Sequence, residues 1–153
     1  YTAVGDFRRA DTLQSAIDDV LRFPGAHVMA SIPCTAGYSW QKLNLRKGGK
    51  QQALRVQGLR EDMSLLIANL RVLARVVRDG GGTISFEWPR RCSLWREPAV
   101  QSFIEELRLH KVDFDGCAVG LVSTTGLPLL KLSRIFTDNK ALLTALGLSL
   151  ILY

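Results

Sequence analysis

The chain has 153 residues, of which 47% are hydrophobic and 22% are charged, a balance typical of one globular domain and unlike that of a disordered chain. Lysine and arginine outnumber aspartate and glutamate by 20 to 14, which gives a net charge of +6 and a pI near 9.6. This positive charge favours a polyanionic partner such as nucleic acid. The apolar stretches are too short for a membrane span, so no membrane partner is expected.

The first half of the chain predicts a helix, a strand and a long second helix. Apolar residues recur at helical spacing over residues 13–21, and Phe23-Pro24-Gly25 ends that helix. An apolar strand follows at residues 27–32, then a polar, basic loop at residues 35–50. The helical spacing of apolar residues resumes over residues 51–78.

The second half predicts short strands that alternate with helices. The predicted elements are a strand at 83–86, a turn at 87–91, a helix at 98–109, a strand at 111–114, a hairpin of 117–122 with 130–136, and a final helix at 139–146. This alternation predicts a three-layer α/β sheet. Because no linker or repeat interrupts the pattern, we expect a single domain over residues 1–153.

Three cysteines are spread widely along the chain, at Cys34, Cys92 and Cys117. They form no C-x-x-C pair, which argues against a zinc site and against a disulfide framework. No metal site is expected. The location expected from this cysteine usage is intracellular, with nucleus and cytoplasm both open. The chain begins with Tyr1 rather than methionine, so we expect a processed product or an excised fragment.

The pair Pro33-Cys34 closes the first apolar strand and opens the basic loop. Ligands of open α/β sheets bind beyond the carboxyl ends of the strands, so Cys34 stands where a reactive residue is placed. Its thiolate could attack an electrophilic carbon if nearby cations lowered its pKa. The alternative is that Cys34 is a small apolar core residue.

Glu87 directly follows the apolar strand at 83–86, as Cys34 follows the end of the strand at 27–32. One interpretation is a salt bridge to Arg90, Arg91 or Arg134. The other is a carboxylate that hydrogen-bonds a ring nitrogen and an exocyclic amine, a pattern that the Watson–Crick edge of cytosine offers.

Tryptophans stand among polar or basic residues at Trp40, Trp88 and Trp95. Aromatic rings interleaved with cations suit base stacking and phosphate contact, and the alternative is that each ring packs on the edge of the sheet. The nucleic-acid-binding residues expected on this pattern are Ser39, Trp40, Lys42, Arg46, Lys47, Lys50, Arg90 and Arg91.

Taken in chain order, four segments resemble the cytosine-C5 DNA methyltransferase family. Gly5-Asp6-Phe7 resembles the segment that contacts the adenine end of S-adenosylmethionine, and Pro33-Cys34-Thr35-Ala36-Gly37-Tyr38-Ser39 resembles the Pro-Cys loop. Phe86-Glu87-Trp88-Pro89 resembles the Glu-Asn-Val segment, with Trp88 in place of asparagine. The segment at 131–137 falls where the family has an arginine-bearing strand, here with Arg134.

The chain is more similar still to divergent methylase-like segments of protist and retroelement-type polyproteins. Those also combine a Ser-Ile-Pro-Cys-Thr run and a Glu-x-Pro segment with an Asp-x-Cys-x-x-Gly run, which is here Asp115-Gly116-Cys117-Ala118-Val119-Gly120. They close on an Arg-x-x-Thr-Asn-like strand, which begins here at Arg134. The likeness covers about residues 5–139.

The resemblance implies a partial Rossmann-like sheet of the S-adenosylmethionine-dependent methyltransferase type. It implies Cys34, Glu87 and Arg134 as catalytic residues, and Asp6, Phe7 and Pro33 as residues that bind S-adenosylmethionine. The glycine-rich cofactor loop of the family has no counterpart in the sequence, so we expect an incomplete cofactor site. The implied function is cytosine-C5 methylation of nucleic acid. The alternative is an inactive methylase-like module that binds nucleic acid or a partner protein, or self-associates through its apolar C-terminal tail.

Overall fold

A computed structural model describes residues 5–38, 41 and 46–149 of the chain. The predicted residues Ser39, Trp40 and Lys42 lie outside the described residues, as does the end of the apolar tail. In chain order the elements are α1 (Ala10–Arg22), β1 (His27–Ala30), α2 (Gly49–Asp79), β2 (Thr83–Pro89), α3 (Pro98–Glu106), β3 (His110–Asp115), β4 (Leu132–Thr137) and α4 (Lys140–Ser149), with 3-10 turns at Thr35–Gly37, Ser93–Arg96 and Gly116–Val119.

The strands form one mixed sheet in the order β1-β2-β4-β3. β1 pairs with β2 in parallel, with Ala30 opposite Phe86. β4 lies between β2 and β3 and is antiparallel to both, so β1, β2 and β3 all run in the same direction. The chain is therefore an α/β protein with a four-stranded mixed sheet, which is compatible with part of a Rossmann-like fold.

The main core lies between the sheet and the helices α2 and α3. Residues of α2 are buried at helical spacing, and Phe86 of β2 is fully buried with its ring edge-on to Trp88 and Trp95. A smaller cluster on the opposite face joins α4 to β3 and β4 through Val112, Ile135 and Leu146. Helices therefore cover both faces of the sheet, as the predicted three-layer arrangement requires.

β2 is longer than predicted, and this changes the environment of Glu87. The strand continues to Pro89 because it pairs with β4, with Glu87 opposite Ile135 and Trp88 opposite Arg134. Successive side chains of a strand point to opposite faces of the sheet. Glu87 therefore lies on the face covered by α4, and Trp88 on the face covered by α2. The prediction that Glu87 and Trp88 lie in a turn is wrong.

The predicted hairpin of residues 117–122 with 130–136 is also wrong. Cys117 lies in a 3-10 turn after β3, and the strand that follows pairs with β2 and β3 instead. The loop between β3 and β4 has one isolated antiparallel bridge, between Val122 and Pro128. The strand at Leu132–Thr137 thus pairs on both sides within the sheet, and this tertiary context overrides the local turn signal.

Candidate functional site

Two loops leave the same edge of the sheet, one after β1 and one after β2. Parallel pairing puts the carboxyl ends of these strands side by side. The indole Nε1 of Trp88 donates to the backbone oxygen of Ile32 at 2.5 Å, and the Ser93 hydroxyl donates to the oxygen of Gly37 at 3.1 Å. These two hydrogen bonds join the loops on either side of Cys34.

Gly37 is buried where the two loops meet. A Cβ atom added at this position would lie 2.5 Å from the Cys92 sulfur and 2.7 Å from Leu94 Cγ. Any larger residue would therefore force the loops apart. The glycine allows the Pro-Cys loop to lie directly against the segment after β2.

Cys34 is half-buried and packs against the main core. Its thiol lies beside the Tyr38 hydroxyl, and this interaction raises the pKa of Tyr38. The second neighbour is Cys92, whose pKa is raised to about 11 by burial, with a further contribution from Cys34. All three cysteines are free thiols. The groups in contact with the predicted nucleophile are thus a phenol and a second thiol.

Glu87 is buried, with 7% of its surface exposed. One carboxylate oxygen accepts a hydrogen bond of 3.2 Å from the Ser31 hydroxyl. The other, Oε1, lies 3.4 Å from the Lys131 ammonium nitrogen but accepts no hydrogen bond from any described residue. The salt bridge to an arginine considered above is not formed, since the cation is Lys131. A buried acceptor without a donor is uncommon in folded proteins, and the described residues supply this oxygen with the nearby charge of Lys131 instead.

The loop before Cys34 joins the two predicted catalytic residues only indirectly. Ser31 contacts Glu87, while the Cys34 thiol turns toward Cys92 on the side of the main core. The Pro-Cys loop therefore contacts the Glu87 carboxylate through Ser31. The Cys34 thiol itself lies beside Cys92 and does not contact Glu87.

Arg134 lies apart from Glu87. It stands opposite Trp88 and Asp113 in the sheet, so it is on the other face from the carboxylate. Its guanidinium forms a bidentate pair with Asp113, with hydrogen bonds of 2.6 and 2.7 Å. The hydrogen bonds of this pair lower the pKa of Asp113 and raise that of Arg134. Arg134 is thus held by a neighbouring strand rather than beside Glu87 or Cys34.

A cavity of about 440 Å³ gathers the three residues predicted to bind the cofactor. Asp6, Phe7 and Pro33 line it together with Ser31, Ile32 and Thr35 of the Pro-Cys loop and apolar side chains of α2. This volume is within the range of small-molecule sites in proteins.

Asp6 carries its negative charge at neutral pH inside this cavity. Arg8 donates to both Asp6 oxygens and lowers the pKa of Asp6 to about 2. The same guanidinium lies 2.8 Å from Asp62, which also lines the cavity. The cavity thus has a charged rim and an apolar floor.

A second cavity, of about 290 Å³, lies on the face of Arg134 and is rich in arginine. Arg90, Arg91, Arg96 and Arg134 line it, with Trp95 and Phe136 among the other lining residues. Arg90 pairs with Asp115 at 3.6 Å. Within the described part of the chain, Arg91 and Arg96 are exposed and form no ion pair, which leaves two cations able to bind an anion.

The other predicted contacts with nucleic acid have mixed outcomes. Trp88 and Trp95 are 1% and 4% exposed, so for these two rings packing is the interpretation that holds and base stacking does not; both rings belong to the main core. Arg46, Lys47 and Lys50 are exposed, which leaves their charges accessible. No cluster of three metal-binding side chains occurs among the described residues.

Sequence reasoning missed four functional-site residues: Ser31, Lys131, Cys92 and Arg96. Ser31 had a signal, because its even spacing from His27 puts it on the face of β1 that Glu87 shares. The other three are brought in by strand order and loop contact, for which the sequence holds no local signal.

No family model, no curated protein and no solved structure matches this chain. Within the described ranges, no helix combines the length and the apolar character that crossing a bilayer requires.

Proposed function

We propose that this chain is a methyltransferase-like domain that acts on cytosine C5 of nucleic acid with S-adenosylmethionine as methyl donor. The observation that carries the proposal is the 440 Å³ cavity. The sequence resemblance implies Asp6, Phe7 and Pro33 as cofactor ligands, and all three line this cavity, although Pro33 belongs to a different loop from the neighbouring pair Asp6 and Phe7. The cavity adjoins the Pro-Cys loop, at the edge of the sheet where α/β proteins bind ligands.

The residues around the cavity fit the adenosine part of the cofactor. Phe7, Ile32 and Pro33 offer apolar surface to the adenine ring, and the ionised Asp6 carboxylate can accept hydrogen bonds from the adenosine part. The Arg8 guanidinium holds the Asp6 and Asp62 carboxylates at the rim, so its role would be to position Asp6 rather than to contact the cofactor itself. When bound, the cofactor supplies an activated methyl group.

Two side chains of this chain would act on the cytosine ring. The Cys34 thiolate forms a bond from sulfur to C6, and the displaced electron pair makes C5 nucleophilic. The Glu87 carboxylate would accept a hydrogen bond from the exocyclic amine of cytosine and fix the ring, which requires its pair with Lys131 to open. After methylation a water molecule or hydroxide from solvent takes the C5 proton, the C5–C6 double bond re-forms, and the sulfur leaves C6 as the Cys34 thiolate. This chemistry would require the Cys34 thiol to leave Cys92 and turn toward the Glu87 face, which means breaking the loop contacts that hold it in this structure.

We assign Arg134 to phosphate contact rather than to the base. Its bidentate pair with Asp113 holds it in the arginine cavity, on the face opposite Glu87. Arginine clusters of this kind suit the phosphate oxygens of nucleic acid.

A second candidate function is an inactive module that binds nucleic acid. The position of Cys34 favours it, because among the described residues the thiol lies beside Cys92 and Tyr38 and not beside Glu87. The arginine cavity serves this function without any methyl transfer.

Binding of radiolabelled S-adenosylmethionine, measured by equilibrium dialysis, tests the cofactor site. We expect Asp6→Asn to weaken binding roughly tenfold, since a hydrogen bond to a charged group contributes about 1.5–3 kcal/mol. Asp18→Asn is the matched control, because Asp18 is an exposed carboxylate on α1 outside the cavity. Equal affinity of the Asp6 and Asp18 variants, or no binding by the unmodified chain, would refute the proposed site.

A further inference from the structure

Cys34 and Cys92 stand 58 positions apart in the sequence but meet where the two loops are joined. The hydrogen bonds from Trp88 to Ile32 and from Ser93 to Gly37 lie on either side of them. The amide of Gly37 also donates to the backbone oxygen of Cys34 at 2.9 Å. Because both loops are fixed at two points, the segments that carry the thiols are held side by side.

The Cys92 sulfur lies directly against the turn that begins at Cys34. It would be 2.5 Å from a Cβ atom at Gly37, and Cys34 packs against the core cluster that contains Cys92. Cys117 is in a different position, since it follows β3, which β4 separates from β2. Cys34 and Cys92 are therefore the pair that the fold brings together.

We propose that Cys34 and Cys92 are a redox-active pair. A disulfide oxidant such as oxidised glutathione converts them to a reversible Cys34–Cys92 disulfide. Cys34 is the more accessible of the two, being half-buried, whereas Cys92 is buried. The Cys34 thiolate attacks one sulfur of glutathione disulfide and releases a glutathione thiol. The Cys92 thiolate then attacks the Cys34 sulfur of the resulting mixed disulfide and releases the second glutathione thiol. Two electrons and two protons pass from the protein to glutathione disulfide.

The second step is controlled by the burial of Cys92. Burial raises the pKa of this thiol to about 11, so little thiolate is present at neutral pH and closure is slow. As long as the pH stays below the pKa of Cys92, the thiolate fraction of this residue rises about tenfold for each unit by which the pH is raised. Closure of the isolated mixed disulfide should therefore accelerate about tenfold for each pH unit over the mildly alkaline range.

Closing the disulfide would also switch off the proposed methyl transfer, because the sulfur of Cys34 would no longer be a free nucleophile. This consequence rests on the proposed function, whereas formation of the disulfide does not. Reduction would restore the thiol, so the switch is reversible.

Peptide mapping after oxidation tests the pair directly. The chain is incubated with glutathione disulfide, blocked with an alkylating reagent, digested with trypsin and analysed by mass spectrometry. Trypsin places Cys34 in peptide 23–42, Cys92 in 92–96 and Cys117 in 112–131. We expect 23–42 and 92–96 to be linked, with the loss of two hydrogen atoms, and the link to disappear after reduction.

The single variants complete this test. Cys34→Ser and Cys92→Ser should each lose the link, and Cys117→Ser should keep it. A mixed disulfide of Cys34 with glutathione that persists at alkaline pH, or a link from Cys34 to Cys117, would overturn the inference. The mapping uses the unmodified chain and needs no enzymatic activity. A linked chain that transfers no methyl group even when reduced would count against the proposed function and leave the disulfide established.

Discussion

Glu87 shows how a single side chain depends on contacts that the sequence does not display. Its position after apolar residues indicated a strand end with a carboxylate, and the structure confirms a strand there, longer than predicted. The burial of Glu87 and its neighbour Lys131 depend on the insertion of β4 beside β2. Local sequence could predict an acid at this edge of the sheet, but not which cation approaches it.

Glu87→Gln separates a catalytic role from a structural one. The amide keeps the shape and an acceptor for Ser31, and the half-exposed Lys131 can turn to water, so the unfolding free energy should change by less than about 1 kcal/mol. Methyl transfer should fall by about 100-fold or more, since the group that binds the base edge is lost. Glu97→Gln is the control, because Glu97 forms a comparable ion pair with Arg60 at 3.6 Å. Unimpaired transfer in the Glu87 variant would leave this carboxylate a structural role only.

At the scale of elements, helical periodicity was the most reliable signal. The spacing of apolar residues over 51–78 predicted a helix that the structure has at Gly49–Asp79. The strands at 83 and 111 were also found, with longer bounds. The predicted hairpin was wrong because β4 pairs with β3, which ends before the predicted first arm, and with β2, which lies more distant in the chain; periodicity does not show which strands will pair.

Two leucines of α2 test the assignment of its buried face. Leu70 is 2% exposed in the main core, whereas Leu65 is 45% exposed. Leu70→Ala should lower the unfolding free energy by about 2–5 kcal/mol, because it removes buried apolar groups and leaves a cavity. Leu65→Ala should change it by less than about 1 kcal/mol. Denaturant titration of both variants measures the difference, and equal losses would mean that the helix is rotated from the position described.

At the scale of the whole molecule, charge was predictable and its distribution was not. Composition indicated an anionic partner, but the basic residues singled out from sequence stood mainly in the loop at 35–50. The arginine cavity draws its members from the turn after β2, from the next 3-10 turn and from β4. That grouping exists only once the sheet has formed.

A pair of charge-matched double variants tests whether the arginine cavity or net charge alone binds nucleic acid. Arg91→Gln with Arg96→Gln removes the two unpaired cavity cations, while Arg55→Gln with Arg108→Gln removes two exposed arginines elsewhere. The first pair should weaken binding to a single-stranded oligonucleotide at least about tenfold and should lower its salt dependence by about 0.7 per lost phosphate contact. Equal weakening by both pairs, measured by fluorescence anisotropy across salt concentrations, would show that only net charge matters.

The most direct test of the proposed function is transfer of labelled methyl from S-adenosylmethionine to cytosine in DNA and in RNA. The reduced chain is compared with Cys34→Ser and with Cys117→Ser, a matched substitution of another half-buried thiol. The proposal predicts label on cytosine C5 with the unmodified chain and with Cys117→Ser, and none with Cys34→Ser. Undiminished transfer by Cys34→Ser, or no transfer by a reduced chain that still binds nucleic acid, would contradict the assignment of Cys34 as the nucleophile of a methyltransferase.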